Sequence, residues 1–125
     1  MKRIVEIVDA LKKQFGITSD VDVNIVQRNR LGFSVEPFGH QRGHYVLSID
    51  EQLLSQLDEE ELTAALGHEL GHVWIYTHHP YLHTEIFANQ VAMRVVHRDA
   101  LKKLYLKLWE YQGTTGDINA LLGGE

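Results

Sequence analysis

One helix, then three short strands, then a run of helices: that order predicts an α+β fold. It consists of a small three-stranded, largely antiparallel sheet packed against helices. Three observations carry the prediction. Apolar residues recur at helical spacing up to Phe15. Residues 21–49 hold short β-branched alternations separated by polar, glycine-containing turns. After Asp50 the apolar spacing returns to the helical period and persists to Trp109. A chain of 125 residues forms one domain, residues 1–125, and can bury a single core without staples.

The elements follow in order. Lys2 to Phe15 carries Ile4, Val5, Ile7, Val8, Leu11 and Phe15 on one stripe, and Gly16 supplies the stop. Val21 to Val26 alternates apolar and polar as a half-buried strand does. A second strand runs Gly32 to Glu36 and is ended by Pro37; a third runs His44 to Ile49. The connections Gln27–Leu31 and Phe38–Gly43 read as polar loops. Ser48 or Asp50 caps a short helix reaching Leu57. Asp58 then opens the main helix, with Glu61 closing a capping box and Glu59 to Glu61 matching the helix dipole. Leu62, Leu66, Leu70 and Val73 belong to its buried face, and Pro80 stops it. A further helix starts near Thr84, runs through Ala88 and Ala92 and breaks near Arg98; a last one carries Leu101, Leu104, Leu108 and Trp109. Residues 113–125 form a flexible or cleft-covering tail that still holds Ile118, Leu121 and Leu122.

Composition narrows the function classes. Without cysteine there are no disulfides, no thiol nucleophile and no cysteine metal ligand. A net charge of −5 argues against a nucleic-acid surface, which needs a basic patch. No apolar run approaches the roughly 20 residues that span a bilayer. The acids at Glu6 and Asp9 interrupt any signal-peptide core, so a cytoplasmic protein without a membrane partner is expected. The eight histidines are more telling, because five of them (His68, His72, His78, His79 and His83) fall within sixteen residues.

His68-Glu69-Leu70-Gly71-His72 lies in the predicted main helix. Residues four apart share a helix face, about 6 Å apart along the axis, so His68 and His72 can hold one zinc ion. Glu69 can then reach a water in the open coordination position as general base. The third ligand has to come from elsewhere. His78 stands six residues after His72, but Ile75 occupies the place where a sharp turn would need glycine, and a continued helix turns His78 about 240° away. His79 faces correctly but lies roughly 10 Å further along the axis. Glu85 opens the helix after the Pro80 turn, and two antiparallel helices bring it back beside the histidines. Gly67 and Gly71 on one helix and Ala88 and Ala92 on the other allow that close approach. Asn89, one turn beyond Glu85, is placed to accept a hydrogen bond from a zinc-bound histidine. His78, His79, Tyr81 and His83 lie on the connection near the site and are candidate electrophiles, although each alone also reads as part of a solvated turn. His40 and His44 are candidate substrate contacts or plain surface residues, and His97 reads as structural or exposed.

His68 to His72 followed by Glu85-Ile86-Phe87-Ala88-Asn89 resembles the gluzincin metallopeptidases, in which a glutamate on a second helix is the third zinc ligand. The short chain is most similar to the minigluzincins. Its Glu-x-x-Ala-Asn string also resembles the ImmA/IrrE-type peptidases. Leu53 to Val73 is similar to the soluble core of the HtpX-type peptidases, none of whose membrane helices is present. The resemblance covers about Tyr45 to Val96. It implies a zincin-like fold and a zinc-dependent peptidase that binds a peptide or protein substrate along a sheet-edge strand. The metal ligands would be His68, His72 and Glu85, with Glu69 catalytic. Two other readings stay open. One is a latent protein whose tail occupies its own cleft, so that truncation after Tyr111 raises activity. The other is a non-catalytic zinc-binding regulatory protein, for which Glu69 would be superfluous.

Overall fold

The computed structural model describes residues 1–39 and 43–123. Helix α1 (Lys2–Phe15) leads into strand β1 (Asp20–Val26), followed by β2 (Phe33–Pro37) and β3 (His44–Asp50). The helices α2 (Glu51–Leu54), α3 (Glu59–His78), α4 (Glu85–Ala92), α5 (Arg98–Gln112) and α6 (Ile118–Leu122) complete the chain, with a 3₁₀ turn at Pro80–Leu82. Gly16, in the left-handed conformation, ends α1 as its position after the apolar stripe requires.

The sheet order is β1-β3-β2, so β3 is central. Its inward residues Leu47 and Ile49 are fully buried and Tyr45 nearly so. The three expected strands are all present, and the sheet they form is mixed. β2 pairs antiparallel with β3, while β1 pairs parallel with it, Val21 opposite Tyr45 and Ile25 opposite Ile49. Residues 27–32 carry the chain past β3 to its far side, so β2 can return antiparallel. Asp50 ends β3 and caps α2 by accepting from the Leu53 amide at 3.0 Å.

Helix α3 is the axis of the fold. Its entry is the expected capping box: Asp58 accepts from the Glu61 amide at 2.8 Å, and Glu61 accepts from the Asp58 amide at 2.9 Å. Every residue from Ala64 to Val73 is buried, because α1, α4, α5 and β2 all touch this helix. Ile4, Ile7, Val8 and Leu11 of α1 join Leu66, Leu70 and Val73 in one core with Leu47, Ile49 and Leu101. The histidine-bearing stretch therefore lies inside the molecule, enclosed on most sides. Leu62 is half-buried at the edge of this core. Helix α4 stops at Ala92, earlier than expected, and the turns Arg94 N–H to Val91 O and Val95 N–H to Ala92 O lead down to α5 at Arg98. Within residues 113–123 the chain forms α6, which lies against α4 and α5 with Leu122 in the core. No described helix is long and apolar enough to cross a membrane.

Candidate active site

About one turn of α3 separates His68 from His72 and leaves both on one face, and the Pro80 turn reverses the chain. Thr84 then caps α4 by accepting from the Phe87 amide at 3.0 Å, which makes Glu85 the first residue of that helix. A side chain in this position reaches back toward α3. The Nε2 atoms of His68 and His72 lie 3.1 Å apart. The Glu85 carboxylate is 3.3 Å from the first and 2.7 Å from the second. Tetrahedral coordination with metal–nitrogen bonds of 2.0–2.1 Å sets donor atoms about 3.3 Å apart, so the three groups fit a single zinc-sized ion. Glu69 sends a carboxylate oxygen to 3.7 Å from His68 Nε2, beside this point and one step further out.

The histidine orientations are set from behind. The His68 Nδ1–H donates to Asn89 Oδ1 at 2.6 Å, and Asn89 is fully buried. That bond keeps a proton on Nδ1 and turns Nε2 toward Glu85, where a metal would take the place of the Nε2 proton. His72 Nδ1 is 2.6 Å from His83 Nε2, with the two rings stacked at 4.7 Å between centroids. For His72 to offer its own Nε2 lone pair, its Nδ1–H must donate to His83. The His83 proton then sits on Nδ1, a buried atom without a hydrogen-bond partner among the described residues. Asn89 uses its Nδ2 protons on the Tyr105 hydroxyl at 3.0 Å and the Leu121 carbonyl at 3.2 Å.

Charge and burial act together here. Burial pushes the Glu69 carboxyl above the usual carboxylate range, against the pull of His68 and His72. Burial pushes His68 down, but its hydrogen bond to Glu85 and the charges of Glu69 and Glu85 outweigh that and raise it. Hydrogen bonds from His68 and His72 hold Glu85 well below the carboxylate range. Burial and the neighbouring His72 lower His83. Burial pushes the Tyr105 phenol up to about 12, so it remains a neutral hydroxyl. Two carboxylates and two imidazoles converging on one point form a centre suited to a divalent cation.

The centre opens into a cleft of about 560 Å³. His68, Glu69 and His72 form its floor; Phe33, Ser34 and Val35 of β2 form one wall, and Leu104, Tyr105 and Leu108 of α5 the other. β2 is an edge strand, so its outer backbone faces a space where an extended peptide could lie. None of residues 113–123 lines this cleft.

The structure thus brings His68, Glu69, His72, Glu85 and Asn89 together, and turns other sequence candidates elsewhere. His78 stacks on Trp74 at 4.2 Å, and His79 tilts against the same ring. Tyr81 is 82% exposed. His44 pairs with Asp22 at 2.7 Å and stacks on Phe38. His97 is exposed at the start of α5, and His40 lies outside the described residues. His83 does join the site as the support of His72. Tyr105 and the Leu121 carbonyl also meet Asn89; Tyr105 is one of two tyrosines in α5 and carries no local signal that sets it apart, and a backbone carbonyl carries none.

The model of a protein family described as Peptidase family M48 matches residues 2–120. Among solved structures, the metallopeptidase zymogen abylysin of Pyrococcus abyssi superposes with a TM-score of 0.64 at 18% identity, covering 91% of this chain and 99% of that one. At that identity the likeness speaks for the fold. No curated protein sequence matches.

Proposed function

The chain belongs to peptidase family M48, and from that premise we propose that it hydrolyses peptide bonds with a zinc ion held by His68, His72 and Glu85 and with Glu69 as general base. One observation carries the reading: His68 Nε2, His72 Nε2 and the Glu85 carboxylate converge within 2.7–3.3 Å, with the Glu69 carboxylate beside them.

Zinc, when bound, supplies a Lewis acid that brings a water's pKa toward neutrality and polarises the scissile carbonyl. The chain's own residues do the rest. Glu69, with its pKa raised by burial, takes the proton of the attacking water and passes it to the leaving amine. Asn89 and His83 hold the two imidazoles in the tautomers that keep Nε2 free. The unpaired edge of β2 supports an extended peptide in the cleft, and the cleft's mainly apolar walls exclude water from it.

The test compares metal content and cleavage of a generic peptide library by wild type, Glu69→Gln and Glu85→Ala. Glu69→Gln should keep its zinc and lose about 10²- to 10⁴-fold in kcat, the usual worth of a positioned base. Glu85→Ala should lose the metal. Full zinc retention by Glu85→Ala sinks the ligand assignment, and equal cleavage by wild type and Glu69→Gln sinks the mechanism. A latent form, with the C-terminal segment covering the cleft, is the second reading, although none of residues 113–123 lines the cleft in this structure. Its signature is a gain of cleavage on shortening the C-terminal segment.

A further inference from the structure

We propose that the C-terminal helix α6 is a positioning element of the metal site: through the Leu121 carbonyl it orients the Asn89 amide, and so selects the His68 tautomer that can bind a metal. The inference rests on the ligand reading above and concerns how that site is kept ready.

A side-chain amide can be turned over with almost no change of shape, exchanging its donor for its acceptor. Asn89 therefore needs its orientation set by its neighbours. The Tyr105 hydroxyl at 3.0 Å serves equally as donor or acceptor and cannot choose. The Leu121 carbonyl at 3.2 Å can only accept. It draws the Asn89 NH₂ toward α6 and leaves Oδ1 facing His68 Nδ1 at 2.6 Å, an arrangement that demands a proton on Nδ1. With the amide turned over, Nδ2 would donate to His68 Nδ1 and the proton would move to Nε2, the atom meant for the metal. Tyr105 would accept that reversal by donating to the turned Oδ1. Of the described groups that meet the Asn89 amide, the Leu121 carbonyl is the one that opposes it, by facing the turned oxygen with its own lone pairs.

The position of that carbonyl is set by residues remote from the chemistry. Asp117 caps α6 by accepting from the Asn119 and Ala120 amides. Leu122 is 5% exposed within the core. Arg98, at the start of α5, clamps the helix by donating to Asn119 Oδ1 at 3.1 Å and to the Gly123 carbonyl at 2.9 Å. A segment with the composition of a loose tail is thereby fastened at both ends, with one carbonyl aimed at the site.

The experiment compares the full chain, a chain ending at Gly116, full-length Arg98→Ala, and Asn89→Asp placed in the shortened chain. Zinc affinity is read by competition with a chelator. The His68 tautomer is read in the metal-free protein by long-range ¹H–¹⁵N correlation at a pH where the ring is neutral, and far-UV circular dichroism checks the fold. The shortened chain should lose about 10- to 100-fold in zinc affinity, the usual effect of removing a ligand's support, and should gain a proton on His68 Nε2. Arg98→Ala should show a smaller loss of the same sign. Asn89→Asp, whose carboxylate accepts in either orientation, should restore the Nδ1–H tautomer and most of the affinity, which no repair of a merely loosened fold would do. Unchanged tautomer and affinity in the shortened chain, or no rescue by Asn89→Asp, overturns the proposal. If the shortened chain does not fold, wild-type behaviour of Arg98→Ala in both readouts overturns it. A full chain that binds no zinc defeats the ligand reading itself, and the tautomer readout still decides the role of α6. More cleavage on shortening, at unchanged zinc affinity, supports a covering tail and overturns the strut.

Discussion

Polar groups withdrawn from water have the largest consequences at the residue scale, and Asp50 shows it away from the active site. It is 1% exposed and accepts from the amides of Asn29 and Leu53 and from the Tyr111 hydroxyl, at 2.9–3.0 Å. Burial alone would push its carboxyl up, but those donors, with the Gln52 amide, hold it below the ordinary value. A depressed native pKa contributes stability that is present above the unfolded value near 3.9 and is lost as pH falls through the native value. Asp50→Asn leaves at least one buried donor unpaired and should cost about 1–3 kcal/mol at neutral pH in urea unfolding. The gap from wild type should narrow below about pH 4, as wild type protonates the same group. An equal gap at both pH values would show that the carboxylate's charge is not what the donors recognise. The same scale shows what the sequence made legible. Glu85 and Asn89 could be anticipated because two histidines leave a coordination problem, and a short helical reversal restricts where the answer can lie. Tyr105 could not, and of His83 only its nearness to the site could, not its support of His72. Their roles depend on which rings stack and which hydroxyl meets an amide across different elements, and no local pattern encodes that.

At the scale of elements, the contact of α3 with α4 decides whether Glu85 reaches the histidines. A Cβ on Gly71 would stand 2.6 Å from the Ala88 carbonyl oxygen, whereas one on Gly67 would meet Val96 Cγ1 at 3.1 Å. The first neighbour is backbone and the second a side chain that can give by a few tenths of an ångström. Each Gly→Ala change also gains up to about 1 kcal/mol of helix propensity. Gly67→Ala should therefore be neutral or slightly stabilising in thermal unfolding. Gly71→Ala should lose about 1–3 kcal/mol through overpacking, and should weaken zinc binding as α4 is pushed away. Equal effects of the two would mean that the helices are not in contact at Gly71. Of the small residues that the sequence offers for this contact, Gly71 meets Ala88, whereas Gly67 meets Val96 beyond α4; the α3 capping box and the stop at Gly16 were also visible. The parallel pairing of β1 with β3 was not, because alternation tells which face of a strand is buried and says nothing of its neighbour's direction. The early end of α4 was also hidden, since no proline or glycine lies between Ala92 and Arg98.

For the whole molecule, the question is how far the fold depends on its metal. The proposed ligands come from two helices of unequal security. α3 is enclosed by α1, α4, α5 and β2, with Ala64 to Val73 buried throughout. α4 has eight residues, leaves Ile86 46% exposed, and enters from the turn at residues 79–84. A metal bridging them would add little to α3 and would staple the start of α4. At a free zinc concentration 100 times Kd the staple is worth about 2.7 kcal/mol. Chelation should therefore lower the thermal midpoint and raise hydrogen exchange first at residues 79–86. Protection in β3 and in the middle of α3 should remain, because Leu47, Ile49, Leu66 and Leu70 form their core without reference to the site. Adding zinc back should restore the protected state. If exchange rises equally in β3, the apolar core is not self-sufficient and the metal is part of the fold. If nothing changes at 79–86, Glu85 is not a ligand, whatever its distance from the histidines.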